Sequence, residues 1–336
     1  EHEPALQTPG ARAFAAAGLR PLPSGVKQAR TILRRERLLA APEPEPGQEQ
    51  EQEHQATVAS EGDSARRPRR FGRRPRRDAG HGAPVLRLRG VWHELRDGPA
   101  ILRGVDLQLH AGEAVVLMGR NGAGKSTLLR HAGGLMEPTR GRVELEGELA
   151  LLLQNPGDLF IHEHVNEEAP AEALRSLGLD GLGERNPRDL SSGQRQRLAL
   201  AVVLGGERAP SAIALDEPTR GMDREAKRSL AQWLSAQARD GALVLVATHD
   251  CEFAVEFATR VVLLARGRVV ADGPVAEVLS GGRYFTTESA RILGGEENVV
   301  RVEEAATTLL ARRTAITGPG AAAEAAVGAG LAEAGT

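Results

Sequence analysis

Apolar and polar positions divide the chain into stretches of different texture. Between Val85 and about Leu293, short apolar runs recur, separated by Gly-rich turns and by apolar positions at helical spacing. Ala114 to Met118 (AVVLM), Leu149 to Leu153 (LALLL), Ala212 to Leu215 (AIAL) and Leu243 to Ala247 (LVLVA) are unbroken aliphatic runs. Runs this short predict strands, Ala114 to Met118 a buried one, and the helical stretches between them predict crossovers. Strand and helix alternating in this way predict an α/β domain with a mostly parallel sheet flanked by helices. The longest apolar runs, Leu198 to Leu204 and Ala242 to Ala247, fall far short of the roughly 20 residues that cross a bilayer.

The flanks read differently. Pro42 to Gln55 is rich in Pro, Glu and Gln, and Arg66 to Arg77 holds eight arginines in twelve residues, so residues 1–83 are expected to be low-complexity linker. One stretch departs from that: Val26 to Arg35 (VKQARTILRR) has apolar residues at helical spacing and predicts a short amphipathic helix. Val302 to Arg313 (VEEAATTLLARR) echoes it at Val26/Val302, Ala29/Ala305, Thr31/Thr307 and Leu33/Leu309. Either the chain begins with the tail of a preceding copy or two helical stretches coincide by chance. Residues 294–336 are read as a C-terminal extension, largely disordered, because Thr317 to Thr336 is rich in Ala and Gly.

Composition narrows the picture only a little. Lys plus Arg number 43 against 45 Asp plus Glu, a formal charge of -2, so no overall field dictates a partner. The single cysteine, Cys251, excludes an internal disulfide framework and a Cys-based zinc cluster and fits a reducing compartment.

The candidate chemistry begins where the run Ala114 to Met118 meets Gly119 to Thr127 (GRNGAGKST), followed by a helical pattern. This is a complete P-loop. Gly119, Gly122 and Gly124 let backbone N–H groups of the segment through Asn121 and Ala123 wrap an anion, and the following helix points its positive end at the phosphates. Lys125 supplies a mobile charge for the β- and γ-phosphates, Ser126 a hydroxyl placed to ligate Mg²⁺, and Thr127 continues the motif. The run Ala212 to Leu215 ends in a second element, Asp216 and Glu217. Asp216 fits the acid that holds Mg²⁺ through water, and Glu217 fits a base that polarises the water attacking the γ-phosphate.

Between these elements lies Leu190 to Gln194 (LSSGQ), followed by Arg195 to Arg197 and a helical apolar run. Together with Gln154 after one strand, Gly221 to Asp223 after the acidic pair and His249 after another strand, the six ordered motifs resemble the ATP-binding subunit of an ABC transporter over residues 84–293. The resemblance implies a P-loop NTPase fold of ABC type, with an antiparallel β subdomain and a helical subdomain beside the main sheet. It also implies that two such domains dimerise head to tail around ATP, as a homo- or heterodimer. Ser191, Gly193 and Gln194 would then address the γ-phosphate bound to the partner, and Asp223 would communicate across the interface. His249 would contact the γ-phosphate, and Gln154 would sense Mg²⁺ and link the site to transmembrane subunits. Such a subunit is peripheral, on the cytoplasmic face of the membrane. More narrowly, Gln154 to Phe160 (QNPGDLF) with Glu167 and Glu168 resembles the ATPases of energy-coupling factor (ECF) transporters, which import vitamins or transition-metal ions. Some of these fuse two ATPase halves, and the echo, the Arg-rich run and the absence of an initial Met would suit a C-terminal half.

Four departures bear on that resemblance. Ser192 stands where the family has glycine, which puts a hydroxymethyl group into a turn expected to demand glycine backbone angles and predicts lower activity. Leu95 stands where an aromatic would stack on adenine, with Trp92 and His93 close by. Only 35 residues separate Gln154 from Leu190, which predicts a shortened helical subdomain, and the stretch from Lys125 to Gln154 is likewise compact. Two other readings compete: a soluble ABC ATPase acting on nucleic acid or ribosomes, motivated by Arg66 to Arg77, and a degenerate half that binds ATP without hydrolysing it. Nucleic acid is the disfavoured partner, because such proteins carry two cassettes in one chain, and Glu217 and His249 argue against a degenerate half.

Overall fold

The computed structural model describes residues 7–39, 83–96, 98–154, 159–206, 210–281, 285–295 and 298–317. The Arg-rich run 66–77, residues 155–158 after Gln154 and the Ala/Gly-rich end 318–336 lie outside the described residues. The order begins α1 (Pro9–Ala16), α2 (Val26–Arg35), β1 (Leu86–Glu94), β2 (Ala100–Leu109), β3 (Ala114–Met118), α3 (Lys125–Ala132), β4 (Arg140–Leu145) and β5 (Leu149–Leu152). It continues α4 (Val165–Glu168), α5 (Ala171–Ser176), α6 (Ser192–Leu204), β6 (Ala212–Asp216), α7 (Arg224–Arg239), β7 (Leu243–Ala247) and α8 (Cys251–Phe257). Last come β8 (Arg260–Ala265), β9 (Arg268–Pro274), α9 (Val275–Ser280), α10 (Glu288–Leu293) and α11 (Val302–Thr317).

The aliphatic runs form one edge and the middle of a six-stranded sheet in the order β5-β6-β7-β3-β8-β9, parallel except for β9, with β5 the half-buried edge strand. Every residue of β3, β6 and β7 is buried, and period-two geometry divides them between two cores. Val116, Met118, Ile213, Leu215, Val244 and Val246 face one core with Leu230 and Leu234 of α7 and Phe253 of α8. Val115, Leu117, Ala214 and Leu245 face the other with Leu128 and Leu129 of α3 and with Leu88, Val91 and Leu102. These last three belong to the antiparallel sheet β2-β1-β4, the β subdomain the resemblance implies. The helical layer is short: α4 has four residues and α5 six, packed on α6 through Val165, Leu174, Leu190 and Leu198.

The reading of residues 1–83 as linker is revised for residues 7–39, which fold. The amphipathic stretch Val26–Arg35 is α2, and α1 precedes it, capped by the Thr8 hydroxyl accepting from the Ala11 N–H at 3.2 Å. Phe14, Ala29 and Leu33 share one apolar cluster with Ile292, Leu293, Ala305 and Leu309, all at most 2% exposed. The packing is crossed: α1 lies on α11 and α2 on α10. The echo therefore has a structural counterpart, since the repeated positions Ala29/Ala305 and Leu33/Leu309 meet in one core. α10 is capped like α1, by Thr287 accepting from Ala290, and each helix is followed by a left-handed glycine, Gly18 and Gly294. Arg313 closes the unit by donating to the carbonyls of Ala17 and Gly18 at 3.2 and 2.9 Å. Composition misleads in this region because α1, α2, α10 and α11 bury apolar side chains in one shared cluster, across more than 250 residues of chain.

Candidate functional site

The adjacent parallel strands β3, β6 and β7 bring their C-terminal ends side by side, where open parallel sheets bind ligands. Each end carries one part of the site. After β3 the loop from Gly119 runs into α3, with Gly122 and Gly124 at φ of 79° and 106°. Gly119 is required for space: a Cβ there would run into the carbonyl oxygen of Leu264 at the end of β8. The β8–β9 turn also donates from the Gly267 N–H to the Ala123 carbonyl at 3.2 Å, so that turn forms the floor of the loop. Lys125 is 7% exposed, its Nζ donating to the Gly119 carbonyl at 2.8 Å. The loop residues Asn121 and Gly122 are exposed, whereas Ala123 and Gly124 are buried.

At the end of β6, Asp216 is 2% exposed, and its Oδ2 is a buried oxygen with no hydrogen-bond partner. Loss of solvent pushes its carboxyl above the usual carboxylate range, as does the neighbouring Glu217 charge; the Ser126 hydroxyl, Lys125 and Arg130 pull the other way. An orphaned carboxylate oxygen on an acid beside a P-loop hydroxyl is a hard-oxygen set suited to Mg²⁺ and its waters, so the residues present fit that ion. Ser126 and Thr127 are half-buried.

Glu217 has a left-handed backbone, φ 48°, fixed by its N–H donating to the Ala247 carbonyl at 2.8 Å. A non-glycine residue in this region costs free energy, here at the acid beside the P-loop. One carboxylate oxygen lies 2.9 Å from His249 Nδ1, and the other accepts from the Thr248 hydroxyl at 3.3 Å. Glu217 is largely buried at 15% side-chain exposure, while His249 stands out at 72%. The Thr248 N–H donates to the Leu117 carbonyl at 3.2 Å, which ties this turn back to β3.

Ser191, Gly193 and Gln194 sit at the start of α6, in the helical layer. Ser191 is the N-cap in a reciprocal capping box: its hydroxyl accepts from the Gln194 N–H at 3.2 Å, and its own N–H donates to Gln194 Oε1 at 2.9 Å. The start of α6 packs on the Gly221 turn, where a Cβ on Gly193 would meet the Gly221 carbonyl oxygen at 2.5 Å. The concern about Ser192 is corrected here, because Ser192 is the first helical residue and has no positive φ. The backbone at that position does not demand glycine; the glycine that the geometry requires is Gly193. Asp223 is exposed and caps α7, accepting from the Ala226 N–H at 2.8 Å. Gln154 is exposed just beyond β5.

Near the expected adenine position, Leu95 is 46% exposed. Trp92 is engaged by the guanidinium groups of Arg140 and Arg268, 5.8 and 6.0 Å from its ring, and His93 is buried against the His131 ring. Sequence reasoning missed the Leu264 to Gly267 floor and Lys227, whose Nζ lies 2.6 Å from Asp250 Oδ2. Neither belongs to a contiguous motif, so no local signal marks them.

Comparison with known proteins matches this arrangement. The domain family described as "ABC transporter" matches residues 102–220. An energy-coupling factor transporter ATP-binding protein, EcfA, of Methanothermobacter thermautotrophicus is 31% identical over 240 residues, covering 62% of this chain and 76% of the relative. The chain belongs to the ABC transporter ATP-binding protein family. A putative ABC transporter ATP-binding protein of Streptomyces coelicolor is 40% identical to this family member over 267 residues, 71% of the chain but 47% of the relative. The chain thus spans about half the length of the curated relatives it matches first. Among solved structures, the dimeric ATP-binding cassette MJ0796, in a post-hydrolysis state bound to ADP and Pi, superposes with a TM-score of 0.53 at 25% identity. That match covers 56% of this ABC protein and 98% of the cassette.

Proposed function

We infer that this chain is the ATP-binding and ATP-hydrolysing part of a membrane ABC transporter, of the energy-coupling factor type, importing a vitamin or metal ion. The observation that carries the reading is the cluster at three strand ends: a P-loop lysine, a buried acid with an unpartnered oxygen beside the P-loop serine, and a second acid held between Thr248 and His249. The P-loop amides and Lys125 bind the β- and γ-phosphates. Ser126 and Asp216 would hold Mg²⁺, with Gln154 near it, and the ion would neutralise charge on the phosphate oxygens. Glu217 accepts a proton from the attacking water as general base, and His249 orients the base and contacts the γ-phosphate. ATP lies between this domain and a second one arranged head to tail, where Ser191, Gly193 and Gln194 address the nucleotide of the partner and Asp223 lies at the seam. Closure of that dimer moves transmembrane subunits to which the domain binds peripherally on the cytoplasmic face. The EcfA relative supports the ECF assignment. No helix of the described residues is long and apolar enough to cross a membrane.

The test is Glu217→Gln, which keeps the shape and removes the base. MgATP binding is expected to persist while turnover falls by roughly 10²- to 10⁴-fold. Near-normal turnover would remove Glu217 from the mechanism. The transport assignment is checked by pulling the Glu217→Gln chain from detergent-solubilised host membranes with ATP present; failure to bring down integral membrane proteins in fixed ratio would sink it.

A further inference from the structure

His249 is exposed and sits on a turn between a strand and a helix of only seven residues, so its position relative to Glu217 depends on what holds that turn. One anchor comes from α7. Lys227 lies in the first turn of that helix, its N–H donating to the carbonyl of the cap Asp223 at 3.1 Å. Its Nζ meets Asp250 Oδ2 at 2.6 Å. The other oxygen of Asp250 accepts from the Phe253 N–H at 3.0 Å and caps α8. The Asp250 N–H donates to Thr248 Oγ1 at 3.1 Å, and that hydroxyl donates to Glu217 Oε2 at 3.3 Å. A continuous path therefore runs from the Asp223 cap through Lys227, Asp250 and Thr248 to one oxygen of Glu217, while His249 Nδ1 occupies the other.

We propose that Lys227 is a positioning residue for hydrolysis, clamping the Asp250 carboxylate so that the 248–250 turn presents Thr248 and His249 to the two oxygens of Glu217. Phe253 needs only one oxygen of Asp250, and without the ammonium the second is free to swing about the side-chain torsions. The pair is partly open to water, at 34% and 21% side-chain exposure, so it adds little to stability. Its effect lies in geometry, to which a base and its water are far more sensitive than the fold is. Asp223 caps α7, so the clamp also connects the Gly221–Asp223 turn to the catalytic acid. This inference rests on the reading of Glu217 as the base that activates water.

Steady-state ATP hydrolysis by the full chain tests it. For Lys227→Met, kcat is expected to fall about tenfold or more, with KM for MgATP within about twofold of the unaltered chain and the melting temperature nearly unchanged. Lys227→Arg, which keeps a charge for Asp250, is expected to recover most of the loss. Amide exchange at Phe253 gives a measure independent of turnover and is expected to accelerate several-fold in Lys227→Met. A kcat within about twofold of the unaltered chain, an unchanged Phe253 exchange rate, or no recovery with Arg would each overturn the assignment of Lys227 while Glu217→Gln is inactive. Near-normal turnover of Glu217→Gln would instead overturn the base on which the clamp acts.

Discussion

The strand-end cluster around Lys125 and Glu217 and the four-helix unit of α1, α2, α10 and α11 are held by opposite means. The cluster rests on backbone geometry: Gly119 has no room for a Cβ, Gly122 and Gly124 have positive φ, and Glu217 is left-handed. Its phosphate loop is one contiguous stretch, and its acids sit at the end of β6, with Glu217 held from the turn after β7. The helical unit has no such stretch. It is an apolar core of Phe14, Leu33, Ile292, Leu293 and Leu309, assembled from the two ends of the described chain. Chemistry that must wrap a phosphate is written locally, because consecutive amides have to point at one anion; packing is written wherever an apolar side chain of suitable volume falls.

The sharpest way to break this contrast is Gly119→Ala. Its methyl group would press on the Leu264 carbonyl, so MgATP affinity is expected to fall more than a hundredfold while α1, α2, α10 and α11 keep their fold. Titration with a fluorescent nucleotide, beside amide exchange in those helices, would show it; near-normal affinity would mean the loop has slack that the geometry denies.

The converse variants are Leu33→Ala and Leu309→Ala. Both side chains are 0% exposed, and each truncation is expected to destabilise the helical unit by ~2–5 kcal/mol, with MgATP affinity changed by less than about twofold. Denaturant melts followed by exchange in α1 and α11 measure the first quantity and nucleotide titration the second. A large loss of affinity in either variant would show that the two regions fold as one.

Glu252 sits at the joint between them, its Oε1 accepting from the Glu288 N–H at the start of α10 at 2.6 Å. Burial is the main reason its carboxyl is pushed up to about 7, with Glu288, Asp250 and Glu256 adding to the rise and the Glu288 amide opposing it. The folded chain thus holds this proton more tightly than the unfolded chain. Its stability contribution is complete below about 4.5 and is lost as pH rises through about 7. Melting temperatures taken from pH 5 to 8 are expected to decline for the unaltered chain and less steeply for Glu252→Gln, a difference of roughly 1–2 kcal/mol after allowing for partial exposure. Parallel curves would remove Glu252 from the joint.

The smallest effects compare the like-capped helices α1 and α10. Thr8→Ala and Thr287→Ala each remove one side-chain cap and are each expected to cost ~1 kcal/mol, because the two hydroxyls make the same bond at 3.2 Å. Thermal melts of the two variants should agree; a large inequality would mean that α1 and α10 are alike in their caps but not in mechanics.

The sequence by itself determined the site's chemical parts and the sheet that carries them. Four unbroken aliphatic runs had to be strands, three of them buried on both faces and β5 a half-buried edge, and Gly119 to Thr127, Asp216 with Glu217, and His249 are each legible because a tight phosphate loop or a strand-end acid is specified by neighbours in the chain. It also marked α2 at its observed bounds from apolar spacing alone. Tertiary structure decided what depends on residues far apart. Ser192 proved helical because Ser191 and Gln194 cap one another. The floor beneath the P-loop comes from the β8–β9 turn, and the hold on His249 comes from Lys227 on another helix. Residues 7–39 fold because α10 and α11 offer them an apolar partner, and neither pair of short helices has a local signal that says so.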